Sequence, residues 1–143
     1  MADILIVDDD DVIRDTLKEL LSEHYVCQTA GSADEAFARL AEKPYDLILT
    51  DISMPGISGS ELLGRVLDQY PKTPVIVVSG ISDQEHVQGL IKLGAFDFLL
   101  KPFRLEVVEK SVRRALEYRR KIIEASEKSE DSPENGAWKI VEE

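Results

Sequence analysis

The sequence predicts an α/β domain, five βα units laid on a doubly wound parallel sheet. Short runs nearly continuous in Ile, Leu, Val and Phe recur along the chain. Longer stretches with apolar residues at helical spacing alternate with them. Runs of the first kind suit strands buried on both faces, as a parallel sheet requires, and the second kind suits the helices that cover it.

The strand runs are Ile4–Val7, Asp46–Thr50, Val75–Ser79 and Phe96–Leu100. Tyr25–Ala30 is weaker and alternating, which predicts a strand nearer the edge of the sheet. Val12, Ile13, Leu17, Leu20 and Leu21 form the first helical stripe, with Asp10 and Asp11 as its cap. Ser32 followed by Glu35 is a capping-box signal that opens a helix carrying Ala36, Phe37 and Leu40. A third stripe, Leu62, Leu63, Val66, Leu67 and Tyr70, is closed by Pro71. Val87, Leu90 and Ile91 form a fourth, with Gly94 as the cap beyond it. Leu105, Val108, Val112, Ala115 and Leu116 open a long fifth. Five units favour the flavodoxin-like (βα)5 arrangement with strand order 2-1-3-4-5, whose ligand site lies beyond the carboxyl ends of the strands.

The pattern makes residues 1–124 one domain and 125–143 a flexible linker or tail, since 126–136 is rich in Ser, Glu, Asp, Pro and Gly. The last apolar residues, Ala137-Trp138-Lys139-Ile140-Val141, fit either a tail or the start of an output region. Composition narrows the function classes. A formal net charge of −11 argues against direct nucleic-acid binding, because a phosphate backbone would repel such a surface. The single cysteine, Cys27, builds neither an intramolecular disulfide nor a zinc site and reads as a small buried hydrophobe. The N-terminus lacks the form of a signal peptide, and no apolar stretch approaches the ~18 residues of a membrane span. A cytoplasmic protein without membrane contact is expected.

The chemistry is concentrated at strand ends. Asp8 and Asp9 follow the first strand and Asp51 follows the third. Strands one and three are neighbours in the 2-1-3-4-5 order, so these carboxylates converge. Two unit charges ~4 Å apart repel by roughly 4 kcal/mol at an effective dielectric near 20. Three together call for a cation or a proton, and an all-oxygen donor set favours Mg²⁺ over zinc or copper. Ser79 ends the fourth strand and Lys101 the fifth, on the same edge as the acids. A hydroxyl and an ammonium facing a metal-bound carboxylate make a phosphate cradle. Each alone is an ordinary strand-end residue; their joint occurrence in this order carries the signal.

These residues resemble the receiver domains of bacterial two-component response regulators, from residue 3 to about 122. Asp8-Asp9 matches the acidic pair of that family. Asp51-Ile52-Ser53-Met54-Pro55-Gly56-Ile57-Ser58-Gly59 matches its phosphoacceptor loop, D-x-x-M-P-x-x-x-G. Ser79 matches the switch Ser/Thr, Phe98 the switch aromatic, and Lys101-Pro102-Phe103 the K-P-F whose first peptide is usually cis. The resemblance implies that Asp51 takes a phosphoryl group from a sensor histidine kinase or phosphotransfer protein. It implies Mg²⁺, replaceable by Mn²⁺, held by Asp9, Asp51 and the Ser53 backbone carbonyl, with Asp8 acting through water. Lys101 and Ser79 would engage the phosphoryl group, and Phe98 would swing inward. The surface of the fourth helix, fifth strand and fifth helix would change with it, serving a homodimer or another partner. The domain would be no conventional enzyme, though it would promote its own phosphorylation and dephosphorylation. Phe98 stands where many members carry Tyr, so a hydroxyl-dependent contact of the inward ring is not expected here.

A phosphatase of the haloacid-dehalogenase type also uses an Asp nucleophile, Mg²⁺, Ser/Thr and Lys, and Asp8-x-Asp10-x-Val12 imitates its signature. That reading needs metal-binding acids on a strand beyond the lysine, but the next Asp after Lys101 is Asp131. A pseudo-receiver that works by contact alone would have lost the phosphoacceptor, an acid of the pair or the lysine; all are present. No phosphate-binding glycine motif of a nucleotide fold occurs, and Gly56 and Gly59 are read as turn glycines. Arg113-Arg114 and Arg119-Arg120-Lys121 on the last helix read as a solvated face, a docking or dimer surface, or a connection to an output domain. With no output domain in view, the regulator acts by protein contact or is the N-terminal part of a longer one.

Overall fold

A computed structural model describes residues 1–80 and 84–131. Its strands are β1 (Asp3–Val7), β2 (Val26–Ala30), β3 (Leu47–Asp51), β4 (Val75–Ser79) and β5 (Asp97–Leu100). They alternate with α1 (Asp11–Leu21), α2 (Ala33–Glu42), α3 (Gly59–Gln69), α4 (Gln84–Leu93) and α5 (Leu105–Asp131). The five strands form one parallel sheet in the order β2-β1-β3-β4-β5, as the alternation predicts.

Each face of the sheet carries its own apolar layer. Leu5, Val7, Ile48, Val75 and Val77 point to the side of α2, α3 and α4, where they meet Leu40, Leu63, Val66 and Leu90. Ile4, Ile6, Leu47, Leu49, Ile76 and Val78 point to the other side and pack on Leu17, Leu21, Val108 and Val112 of α1 and α5. Strict alternation along each strand therefore feeds two cores, which is why β1, β3 and β4 read as continuous apolar runs. Cys27 lies in the second layer, buried as expected.

Helix starts follow the sequence signals closely. The Asp10 carboxylate accepts from Val12 N and Ile13 N and is the N-cap of α1. The Ser32 hydroxyl accepts from Glu35 N, while the Glu35 side chain turns back to accept from Gly31 N rather than from the cap residue itself. Beyond α4, Gly94 adopts φ +126°, and a Cβ there would meet Leu67 Cδ1 at 2.8 Å. Helix stop and close packing both require glycine at that point.

Several expectations are corrected. β5 lies at the second edge of the sheet, as the predicted order has it, but within it only Leu99 is buried, while Phe98 and Leu100 face outward. An apolar run does not by itself distinguish an edge strand carrying an apolar surface from a central one. Val12, Ile91 and Leu105 belong to the apolar helical stripes of the sequence but are exposed, at 70%, 38% and 46%. Each lies at the margin of a helical stripe wider than the face its helix buries. Gly59 has no positive φ; a Cβ there would lie 2.6 Å from Ile52 Cβ, so it is glycine through close approach, whereas Gly56, at φ +99°, is the turn glycine. α5 continues past residue 124 to Asp131, a polar stretch in which Glu127, Lys128 and Glu130 are good helix formers. Residues 132–143, with the apolar end at 137–141, lie outside the described residues.

Candidate phosphoryl-acceptor site

The site stands at the carboxyl edge of the sheet, where β1, β3, β4 and β5 all end. Asp51 is the last residue of β3, and Asp8 follows β1 with its amide still bonded to Ala30 O at 3.1 Å. Parallel pairing brings Val7 beside Thr50 and Asp51 beside Val78, so the strand ends are level. Asp8, Asp9 and Asp51 each place a carboxylate oxygen within 4.8 Å of the others. Asp8 and Asp51 are buried and Asp9 is exposed, so the cluster has a closed floor and an open mouth.

Lys101 follows β5 and enters from the side. Its Nζ lies 2.9 Å from Asp8 Oδ2 and 3.5 Å from Asp51 Oδ2. The preceding strand is level with β4 here, and the Lys101 amide donates to Ser79 O at 2.8 Å. The Lys101-Pro102 peptide is cis. Asp51 Oδ1 accepts from Ser53 N at 3.1 Å, which orients the carboxylate with its other oxygen toward Lys101.

The electrostatics match a charge-dense, half-closed site. Burial pushes the Asp8 carboxyl above its ordinary value, against the opposing hydrogen bonds from Asp10 N and Lys101. Burial also disfavours the Lys101 ammonium, yet the hydrogen bond to Asp8 and the charges of Asp51 and Asp8 outweigh it and hold Lys101 above its ordinary value. One ammonium against three carboxylates leaves the cluster short of positive charge. Asp8 Oδ2 is buried, and the charge it faces is the Lys101 ammonium. Three converging carboxylates with so little positive charge beside them are the all-oxygen donor set that a hard cation takes. The donor set fits.

Ser79 is buried at the end of β4, one strand from Asp51. Phe98 is outward on β5, beside an open cavity of about 460 Å³ that Val107, Lys110, Ser111 and Arg114 also line. The structure thus brings Asp8, Asp9, Asp51 and Lys101 into one cluster, seats Ser53 beside it through its amide, and leaves Phe98 at the surface. Sequence reading missed Arg14, whose guanidinium donates to Asp8 O at 2.6 Å and also pairs with Asp11. An arginine one helical turn after the acids was the available signal. It also missed that four basic residues of α5 are paired: Arg114 with Asp97, Arg119 with Asp46 and with Lys72 O, Arg120 with Glu124, and Lys121 with Glu117.

A parallel sheet in this order, with an acid trio and a lysine at its carboxyl edge, defines a class of phosphoryl-accepting signalling domain. Residues 4–113 match the family model of the response regulator receiver domain, and the chain belongs to that family. It is 38% identical over 117 residues to the hydrogenase transcriptional regulatory protein HoxA of Cupriavidus necator, covering 81% of this chain and 24% of HoxA. The crystal structure of NtrX from Brucella abortus in complex with ATP superposes with a TM-score of 0.84 at 37% identity, covering 87% of this chain and 29% of that one. A receiver domain protein from Clostridium thermocellum superposes with a TM-score of 0.80 at 29% identity, covering 86% of this chain and 99% of that one. The chain spans about a quarter of HoxA's length and 54% of that of the Bacillus subtilis regulator DctR. Among the described residues no helix is long and apolar enough to cross a membrane.

Proposed function

We propose that Asp51 is the phosphoacceptor of a two-component response regulator. The observation that carries this is the convergence of Asp51, Asp8 and Asp9 at one sheet edge with the Lys101 ammonium 3.5 Å from Asp51 Oδ2. An Asp51 carboxylate oxygen attacks phosphorus, the bond from phosphorus to the donor's imidazole nitrogen or acyl oxygen breaks, and the leaving group departs with its electron pair. Asp9, Asp51 and the Ser53 carbonyl would hold Mg²⁺ or Mn²⁺, with Asp8 acting through water, and the ion would supply positive charge to the phosphoryl oxygens. Lys101 pairs with one of those oxygens, and Ser79 donates its hydroxyl to another. Ser53 N, already on Asp51 Oδ1, keeps the carboxylate turned for attack.

The donor is a sensor histidine kinase or phosphotransfer protein in the cytoplasm. The domain promotes both the gain and the hydrolytic loss of its own phosphoryl group. Phosphorylation draws Ser79 and Lys101 inward, and Phe98 leaves its exposed position for the space behind Ser79. The apolar surface of Ile91, Phe98, Leu100, Leu105 and Val107 then becomes the regulated contact, a homodimer interface being one use. HoxA is named a transcriptional regulatory protein, and an output of that kind fits this chain as the receiver of a longer regulator.

Incubation with acetyl phosphate and Mg²⁺, read by intact mass, tests the assignment. One phosphoryl group should be added to the wild type and none to Asp51→Asn. A phosphoryl group mapped to Ser79, or transfer that survives in Asp51→Asn, would refute it.

A further inference from the structure

We propose that Arg14 is a positioning residue for the acidic pair. By holding the carbonyl of Asp8, it fixes the peptide plane that joins Asp8 to Asp9 and so sets the divalent-cation site. The inference rests on reading those acids as that site.

Asp8 O and Asp9 N belong to one rigid peptide unit. On its strand side Asp8 is secured by its amide bond to Ala30 O. The next peptide has left the sheet, and its rotation about the Asp8 Cα–C bond decides where the Asp9 carboxylate projects relative to that of Asp8. Arg14 Nη1 donates to Asp8 O at 2.6 Å, which restrains that rotation from the helix side. Inside this closed ring the Asp8 side chain accepts from Asp10 N at 2.9 Å. Asp10 in turn caps α1, the helix that carries Arg14. Strand, loop and helix are thereby joined through one guanidinium.

Helix capping does not explain Arg14, because Asp10 already supplies the cap. Nor does the pair with Asp11, whose side chain is 81% exposed while that of Arg14 is 20% exposed. An arginine suits the position because its planar fork reaches a carbonyl and a carboxylate at once. Its surroundings are shaped to it. A Cβ on Gly31, just past β2, would come within 3.1 Å of Arg14 Nη1, and Glu35 Oε1 holds the Gly31 amide at 2.7 Å.

The sign of one measurement separates positioning from simple charge. Removing a cation near a metal site should tighten Mg²⁺ binding if Arg14 acts only through its field. Loss of positioning should weaken it by about 10- to 100-fold, as for other groups that orient metal ligands. Calorimetric titration of the full chain with MgCl₂ should therefore show Arg14→Ala weakest and Arg14→Lys intermediate. Asp11→Ala, which spares the bond to Asp8 O, should lose less than Arg14→Ala. In metal-free protein, hydrogen exchange at the Asp10 amide should accelerate in Arg14→Ala. Equal or tighter Mg²⁺ binding by Arg14→Ala would overturn the proposal. If the wild type itself bound no Mg²⁺, the metal reading would fall, and the Asp10 amide would decide alone: faster exchange supports the positioning role and unchanged exchange refutes it. Should Arg14→Ala fail to fold, Gly31→Ala, which crowds the guanidinium, must show the same changes in milder form.

Discussion

Replacing Asp51 by Asn should stabilise the metal-free protein, and Mg²⁺ should erase the advantage. Asp51 shares a volume with Asp8 and Asp9 in which one oxygen of each lies within 4.8 Å of the others. At an effective dielectric near 20, each such repulsion amounts to about 3–4 kcal/mol. The opposing attraction of Lys101, 3.5 Å away, is worth about 5 kcal/mol on the same scale. The residue is about 2 kcal/mol of net repulsion, reduced to ~1 kcal/mol by solvent screening at the exposed Asp9 side. Asparagine keeps the shape and the oxygen that accepts from Ser53 N, so little packing is lost. Urea unfolding in EDTA should place the variant about 1 kcal/mol above the wild type. At ten times its dissociation constant, Mg²⁺ should then return about 1.4 kcal/mol to the wild type and much less to the variant. An Asn variant less stable than the wild type in EDTA, or equal stabilisation of both by Mg²⁺, would refute the reasoning.

Two further outcomes are expected. Gly94→Ala should lose about 1–3 kcal/mol in chemical unfolding, since its φ of +126° and the nearby Leu67 Cδ1 both disfavour a side chain, whereas Gly64→Ala, with open space around it, should lose none. Burial pushes the Cys27 thiol up, so the folded state holds that proton more tightly than the unfolded chain. The resulting stability is present below the unfolded thiol's value of about 8.5 and is lost as pH rises through the folded one; unfolding curves between pH 7.5 and 10 should show a decline that Cys27→Val lacks.

The alternation of strands and helices was legible because it follows from local rules, and the acid trio followed once the order favoured for five such units set strands one and three side by side. Continuous apolar runs mark buried parallel strands, and residues at the ends of neighbouring strands must converge. What stayed hidden depends on distances across the fold. The outward face of β5 cannot be read from Phe96–Leu100, since an edge strand with an apolar surface has the composition of a central one. Gly59 looks like a turn glycine until Ile52 is found against it. Arg14 and Arg119 carry no periodic signal, because their partners, a loop carbonyl and an acid far along the chain, are set by tertiary structure. The length of α5 was underestimated for another reason: a helix that leaves its sheet no longer needs an apolar stripe.

Arg119 joins α5 to the edge of the sheet opposite the acids. It binds Asp46 at 2.9 Å and Lys72 O at 2.7 Å, and Asp46 also accepts from Asp3 N at 2.7 Å. Two loops, a strand end and a helix thus meet at one guanidinium–carboxylate pair, which is placed as a fulcrum would be. From there the helix runs on to Asp131, about 18 Å further at 1.5 Å per residue. A tilt of about 5° around such a pivot, imposed near Phe98, would sweep the far end through roughly 1.5 Å over that length. A stiff rod pinned near its middle turns a displacement at one end into an opposite one at the other, without any intervening chain of rearranged side chains.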